Sequence, residues 1–546
     1  MHETQRGDAL DVRIVGLTKI FGAVRANIGI NLHLKPGTIH GLVGENGAGK
    51  STTMKMLYGL YAPDAGEIVV NGTARTFKSP TDAIGAGIGM VHQHFMLAEP
   101  YSVLDNIILG AEPVQKFPKV FPRNFPRIFP RALCPINRRQ AAERITKVTA
   151  QYGLDVPLDA RVASLPVGIQ QRIEIIKLLY RHARLLILDE PTAVLTPLET
   201  RELFANLRRL RAEGHSVVII THKLEEVMAI TDEVSVMRAG KMVGKVETNA
   251  TSVEELAALM VGREVNLRIP VKPAAPRNDS VFEARNYTLR RAKAGPDERS
   301  VVLDDLNLRV RAGEVVGVAG VEGNGQREFF EAMVGTLSAG AGGKKGYRIA
   351  GHINVLSTPI THASSSEVRS LEIGIIPYDR HREGLLLTHD SRENCMLGYQ
   401  RRPEASRRGF LRMRALAATS ASIFETFDVR PRDTMLEAKA FSGGNQQKII
   451  VGRELSRNPR FVVAANPIRG VDVGAIEFIH TQLIAARDRG AGVLLFSSDL
   501  DEIMTLSDRI VVMYEGRIVG EFSRGACTIE QLGMLMGGGG GDKRHG

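Results

Sequence analysis

A lysine and a serine set behind a run of glycines are the first residues in this chain with chemistry to offer. Gly44-Glu45-Asn46-Gly47-Ala48-Gly49-Lys50-Ser51-Thr52 fits the pattern G-x-x-x-x-G-K-[ST]. Glycines let successive backbone N–H groups curl around phosphate oxygens, and a following helix adds a favourable field at its N-terminus. Lys50 is placed to reach the β- and γ-phosphates of a nucleotide, and the Ser51 hydroxyl to ligate Mg²⁺. A glycine-rich turn that binds nothing is the competing reading. The flanks weigh against it. Residues 39–43 are mostly apolar and read as a buried strand, and residues 54–60 continue as a helix. Strand, glycine loop and helix are the context the motif needs.

Further polar residues stand at the ends of apolar runs. Leu185-Leu186-Ile187-Leu188 reads as a short buried strand ending in Asp189-Glu190, and Ser216-Val217-Val218-Ile219-Ile220 as another ending in Thr221-His222. Asp189 is suited to bind Mg²⁺, directly or through water. Glu190 is suited to orient or deprotonate an attacking water, acid–base work that gives roughly 10²–10⁴-fold. His222 is in place to hydrogen-bond a γ-phosphate, although a lone histidine is more often structural. Gln93, after Gly89-Met90-Val91-His92, is a candidate sensor of Mg²⁺ and γ-phosphate, with a solvated loop residue as the plain alternative. Phe21 is a candidate to stack on adenine, with simple packing as its competitor.

Helical composition over residues 141–152 and 199–212 alternates with these strands. Such alternation implies a mainly parallel sheet with ligands at the strand C-termini. The chain also repeats. Gly44 matches Gly320, Leu165 matches Phe441, Asp189 matches Ala465, His222 matches Ser498 and Gly240 matches Gly516, each 276 positions later. Two copies of one α/β domain are therefore expected, over residues 12–263 and 280–537. A polar, proline-bearing joint over 264–279 connects them, and a glycine-rich tail over 538–546 is expected to be flexible.

One segment breaks the repeat. Phe117-Pro118-Lys119-Val120 is followed by three more Phe-Pro units that end at Ala132. Gly110 to Leu165 spans 55 positions where Gly398 to Phe441 spans 43, so the first copy is longer by three such units. Proline every fourth residue bars a regular helix and a central strand. A basic, extended excursion is the plain reading, and a docking segment for a membrane surface or partner is the sharper one. Deleting residues 117–128 is expected to leave ATP affinity intact; a purified deletion variant that no longer binds ATP would place the segment in the domain core.

Composition narrows the partners. The 546 residues are 43% hydrophobic and 24% charged, ordinary for a soluble globular protein. Residues 1–10 are charged and lack an apolar core, so no secretory signal is expected there. No apolar run approaches the ~18 residues of a membrane span. Cys134, Cys395 and Cys527 are scattered without metal-ligand spacing, which suits a reducing compartment. A net charge of +11 favours anionic partners, either nucleic acid or the inner face of a membrane, and a merely solvated basic surface accounts for it as well.

Taken in order, these residues resemble an ATP-binding cassette (ABC) ATPase. Phe441-Ser442-Gly443-Gly444-Asn445-Gln446-Gln447 is similar to the cassette signature that other phosphate-loop classes lack. The resemblance implies two tandem ABC-type nucleotide-binding domains. Each would have a mainly parallel phosphate-loop core, an antiparallel β part and a helical subdomain. Two cassettes in one chain resemble the energy-coupling subunit of bacterial importers for simple sugars and nucleosides. Val91-His92-Gln93-His94-Phe95-Met96-Leu97 and Pro191-Thr192-Ala193-Val194-Leu195-Thr196-Pro197 resemble the nucleoside-type branch most. The resemblance further implies ATP and Mg²⁺, two membrane permease subunits, an extracytoplasmic substrate-binding protein, and a peripheral place on the cytoplasmic face of the membrane. It also implies head-to-tail pairing, in which the phosphate loop of one cassette faces the signature of the other.

The copies are not equivalent. Lys50 becomes Gln326, Ser51 becomes Arg327, Asp189 becomes Ala465, Glu190 becomes Asn466 and His222 becomes Ser498. Tyr378 stands near the position of Gln93. The first copy in turn carries a weak signature, Leu165-Pro166-Val167-Gly168-Ile169, with Pro166 in place of Ser442. Head-to-tail pairing would send each set of losses to one interface. One site would combine Lys50, Asp189, Glu190 and His222 with Ser442, Gly443 and Gly444; the other would be disabled. A nucleic-acid- or ribosome-associated ABC ATPase is the alternative that the basic charge suits. Such proteins usually resemble two intact cassettes on a long charged helical linker, and here the joint is short and the second copy degraded, so no nucleic acid is expected. A non-catalytic scaffold is opposed by the intact first motif set.

Overall fold

The computed structural model describes residues 9–22, 24–93, 95–113, 136–192, 195, 197–264, 271–274, 276–292, 300–321, 323–337 and 346–539. The Phe-Pro units, His94, Cys134, Ala193, Val194, Thr196 and the tail from residue 540 lie outside them. The chain divides into two compact units, Met1–Val265 and Asn266–Gly546.

In the first unit, strands β1 (Val12–Phe21), β2 (Val24–Leu34), β4 (Ala65–Val70) and β5 (Thr73–Arg75) form an antiparallel sheet in the order β2-β1-β4-β5. The side chains of β1 alternate between buried and exposed along its first residues, as expected of a sheet with one solvated face. A second sheet takes β3 (Ile39–Gly44), β6 (Ile88–Val91), β7 (Leu185–Asp189), β8 (Ser216–Ile220), β9 (Glu233–Arg238) and β10 (Lys241–Glu247) in the order β10-β9-β3-β8-β7-β6. All its neighbours are parallel except the β9–β10 edge pair. Every residue of β3, β6, β7 and β8 is buried, which is why these strands read as unbroken apolar runs.

Each face of that central sheet has its own core. Met54, Met56 and Leu57 of the helix Lys50–Leu57 pack with the inward residues of the antiparallel sheet. On the other face the helices Val103–Ile108, Arg138–Tyr152 and Val167–Tyr180 form the helical part. Local chemistry sets their ends. Asn137 Oδ1 accepts from the Gln140 N–H at 3.0 Å to start Arg138–Tyr152, and Gly153 at φ 67° ends it.

The second unit repeats the plan. Strands β11 (Ser280–Arg291), β12 (Val301–Arg311), β14 (Tyr347–Val355) and β15 (Thr358–Pro359) form the antiparallel sheet. Strands β13 (Val315–Ala319), β16 (Ile373–Ile376), β19 (Phe461–Ala465), β20 (Gly492–Ser497), β21 (Arg509–Tyr514) and β22 (Arg517–Ser523) form the central one, ordered β16-β19-β20-β13-β21-β22. A two-stranded hairpin, β17 (Ser406–Arg407) and β18 (Phe410–Leu411), precedes the helix Met413–Thr426. Mainly parallel core, antiparallel sheet and helical part are thus present in both units, as the resemblance implied. The C-terminal helix Ile529–Met536 closes in a turn at Gly537 and Gly538, whose N–H groups bond back to Met534 and Leu535.

Candidate functional site

The glycine loop leaves β3 at its buried C-terminal end and feeds the helix Lys50–Leu57, which begins four residues earlier than its apolar pattern suggests. The bend needs glycine. Gly49 sits at φ 98°, and a Cβ there would lie 2.5 Å from the Ala26 carbonyl oxygen and 2.7 Å from Asn27 Nδ2. A Cβ on Gly44 would lie 2.3 Å from the Met237 carbonyl oxygen. Glu45, Asn46, Gly47 and Ala48 form the turn, closed by the Ala48 N–H bonding to Glu45 O at 3.1 Å; Ser51 and Thr52 open the helix. Lys50 is buried, and its ammonium donates to the Gly44 and Glu45 carbonyls at 2.7 and 2.9 Å. The cation is thereby held across the concave side of the loop, where phosphate oxygens would sit.

Asn27, on β2, holds the loop from behind and no motif announces it. Its Nδ2 donates to Gly49 O at 3.1 Å and to Thr53 Oγ1 at 2.8 Å, and the residue is wholly buried. Asn27→Ala is expected to cost about 1–3 kcal/mol of stability, toward the lower end because Asn27 Oδ1 has no partner among the described residues. A looser loop should weaken ATP binding as well. Urea unfolding and ATP titration check this; wild-type values in both would remove Asn27 from the site.

At the end of β7, Asp189 is buried and accepts from the Ser51 hydroxyl at 3.2 Å. Burial raises its pKa, with the Ser51 hydrogen bond pulling the other way. Hydroxyl and carboxylate side by side at the mouth of a phosphate loop are the oxygen donors Mg²⁺ takes, one or two from protein and the rest from phosphate and water. Among the described residues, no group of three or more His, Cys, Asp or Glu is arranged to hold a metal ion.

Glu190 is where Gln93 and His222 meet. Gln93 Nε2 donates to Glu190 Oε2 at 3.3 Å, and His222 Nδ1 lies 3.0 Å from Oε1. Burial alone would raise the Glu190 pKa, but the His222 contact, with Lys50 and Lys223 nearby, outweighs it and the net shift is downward. The carboxylate therefore stays ionised, as a proton acceptor must. Glu190 also has a left-handed backbone, φ 49°, its N–H bonded to Ile220 O at 2.8 Å. That conformation costs a residue of this type free energy and clusters at functional sites. Two contacts secure the turn that follows: Gln171 Nε2 donates to Pro191 O at 2.5 Å, and Thr192 Oγ1 to Glu226 Oε2 at 2.6 Å. Phe21 ends β1 and is 43% exposed, its ring edge-on to Tyr61 at 5.3 Å and 5.4 Å from Lys19 Nζ.

The second unit keeps this backbone and loses its chemistry. Asn466 takes φ 45° and bonds Phe496 O at 2.7 Å, as Glu190 bonds Ile220, but its Oδ1 accepts from the Ser498 N–H at 2.9 Å. Gln326 is buried in the place of Lys50, its Nε2 only 2.0 Å from where a Cβ on Gly320 would stand. Arg327, in the place of Ser51, donates to Glu331 at 3.1 Å and Glu383 at 2.5 Å. Tyr378 packs edge-on against Phe330 at 5.2 Å.

The signature of the second unit is well formed. Ser442 caps the helix Gly443–Leu455, its Oγ accepting from the Asn445 N–H at 3.4 Å and Nδ2 at 3.0 Å. Gly444 packs so closely that a Cβ would lie 2.5 Å from Asp472 Oδ2. In the first unit Pro166 occupies the matching N-cap of Val167–Tyr180 and offers no side-chain cap.

A glycine loop at the end of a parallel strand, its lysine, and paired acids at the end of β7, two places along the same sheet, define a phosphate-loop nucleotide-binding protein. The family model described as "ABC transporter" matches residues 28–193 and 303–469. The chain belongs to the ABC transporter family, and is an ATPase coupled to transport with two cassettes. It is 42% identical over 528 residues to the nucleoside import ATP-binding protein NupA of Lactococcus lactis, covering 97% of this chain and 98% of that one. The guanosine import ATP-binding protein NupO of Bacillus subtilis is 44% identical over 529 residues, covering 96% and 97%. The glucose import ATP-binding protein TsgD13 of Haloferax volcanii is 43% identical over 543 residues, covering 97% and 96%. Among solved structures, archaeal ribosome recycling factor aABCE1 in complex with stalk protein aP1 shares the fold at TM-score 0.59 and 16% identity, covering 93% of this chain and 90% of that one.

Proposed function

We propose that this chain is the ATP-hydrolysing, energy-coupling subunit of an importer for nucleosides or simple sugars, and that the first cassette alone hydrolyses. The observation that carries the proposal is the convergence of Gln93 and His222 on an ionised Glu190, beside Lys50 and Asp189. The side chain of the corresponding Asn466 instead bonds Ser498. In this reading Lys50 leaves the loop carbonyls for the β- and γ-phosphates, and the backbone N–H groups of the loop bind phosphate oxygens. Glu190 orients the attacking water and takes its proton, while His222 and Gln93 fix the carboxylate. Mg²⁺, held by Ser51 and Asp189 with Gln93 near it, would neutralise charge on the phosphates.

The signature residues Ser442, Gly443 and Gly444 would complete this nucleotide site. Support comes from the distribution of losses: the copy without a catalytic base keeps the capped signature, and the copy with the base has Pro166 there. Phe21 would stack on the base of ATP. The partners would be two membrane permease subunits and, through them, an extracytoplasmic substrate-binding protein. The chain would sit peripherally on the cytoplasmic face of the membrane. No helix among the described residues is long and apolar enough to cross one. The nucleoside or sugar cargo is supported by relatives that are 42–44% identical over nearly the whole chain.

Uptake of a panel of labelled nucleosides and sugars tests the proposal in cells with and without this protein. Loss of uptake of one of these compounds is expected without it, restored by wild type and not by Lys50→Ala. If no nucleoside or sugar depends on the chain, the importer reading falls.

A further inference from the structure

The hairpin β17–β18 has features that neither nucleotide chemistry nor folding stability requires. Arg408 and Gly409 both take positive φ, 51° and 83°, at its two-residue turn. Two such residues at the centre of the loop give a tight hairpin whose twist suits the strands. Its base is rigid. The Arg412 N–H bonds to Ala405 O at 2.9 Å, and Ala405 is buried in a small core with Met396, Tyr399 and Leu416. Its second strand is bare, with Phe410 80% and Leu411 47% exposed, and Met413, which opens the following helix, is 49% exposed. These apolar groups stand among six arginines (residues 401, 402, 407, 408, 412 and 414), against one acid, Glu404.

Arg401, Arg407, Arg408, Arg412 and Arg414 are exposed, and none has an ion-pair partner among the described residues. Two of them work against the fold. Arg412 is the N-cap residue of Met413–Thr426 and Arg414 lies in its first turn, which holds no acidic residue. Cations at a helix N-terminus oppose its dipole, whereas an anion there is favoured. A protruding phenylalanine, leucine and methionine ringed by guanidinium groups fit the boundary between lipid headgroups and acyl chains. Nucleic acid fits less well, because Phe410 alone offers a face for a base to stack on and the leucine and methionine beside it offer none.

We infer that the Arg401–Arg414 hairpin docks on an anionic phospholipid surface, with Phe410 entering the interface and the arginines meeting lipid phosphates. Such binding needs neither ATP nor permeases, so its failure leaves the transport reading untouched.

The chain contains no tryptophan, so Phe410→Trp gives the full-length protein a single tryptophan, excited selectively at wavelengths that tyrosine does not absorb, beside the hairpin turn. It is titrated with vesicles of phosphatidylcholine, with vesicles of equimolar phosphatidylcholine and phosphatidylglycerol, and with a single-stranded oligonucleotide at equal phosphate. The expected result is a blue shift on the anionic vesicles at low salt, absent on neutral ones and fading as salt rises. Changing Arg407, Arg408, Arg412 and Arg414 together to Gln in that background should raise the lipid needed for half the shift by about tenfold or more. ATP affinity should not change. Emission that does not move on anionic vesicles overturns the inference, even if the protein floats with them. So does a shift that is equal on neutral vesicles or indifferent to the arginines. A larger response to the oligonucleotide assigns the hairpin to nucleic acid instead.

Discussion

Glu190→Gln should leave ATP bound and lower its hydrolysis by about 10²–10⁴-fold in the assembled transporter, the range for removing a general base. The amide keeps the shape of the side chain and can still contact Gln93 and His222, which lie 3.3 and 3.0 Å from the two carboxylate oxygens. It loses the charge those neighbours are arranged to stabilise. Asn466→Ala is the matched control. It removes a side chain that only accepts from Ser498, so turnover should stay near wild type. Steady-state ATPase rates and nucleotide retention after gel filtration separate binding from chemistry. Near-normal hydrolysis by Glu190→Gln would remove the base from the site.

Ser442→Arg should impair hydrolysis although Ser442 belongs to the copy without a base. Losing one preorganised donor to a phosphate oxygen typically costs roughly 10²-fold. The substitution also removes the N-cap of Gly443–Leu455, worth about 0.5–2 kcal/mol. A second variant therefore keeps the cap. Ser442→Asp still accepts from the Asn445 N–H, but sets a carboxylate against the γ-phosphate. Both changes should raise KM for ATP and lower kcat, with the Asp variant as stable as wild type to urea. Pro166→Arg should do less, since Pro166 gives its own helix no side-chain cap. Equal, severe losses from changes at Ser442 and Pro166 would contradict the assignment of the second signature to the first nucleotide.

Much of this site was legible because its strands are buried on both faces. Leu185–Asp189 and Ser216–Ile220 read as apolar runs, so the polar residues that end them, Asp189, Glu190 and His222, stood out. The helix start was less legible. Apolar spacing begins at Met54, whereas the helix begins at Lys50 because Gly49 at φ 98° turns the chain inside the motif. Nothing in the sequence pointed to Asn27, Gln171 or Glu226, or to the role of Thr192 in holding the turn. They act through contacts between residues 20 to 34 positions apart that no spacing rule connects. The left-handed backbone of Glu190 was equally hidden, since glutamate does not favour it; Asn466 at the matching place is a residue that does. The sequence showed Ser51 replaced by Arg327, but not that the guanidinium is tied to Glu331 and Glu383. Only the structure shows that guanidinium engaged by two carboxylates, and the buried Gln326 amide crowding Gly320.

The claim that one cassette hydrolyses for both is tested most directly by trapping. The assembled transporter is turned over with a photoreactive ATP analogue and orthovanadate, irradiated, and cleaved in the joint between the two units. Label confined to the fragment that contains Lys50 and Glu190 is the predicted result, and it should vanish in Glu190→Gln. Vanadate-dependent label divided equally between the two fragments would contradict it.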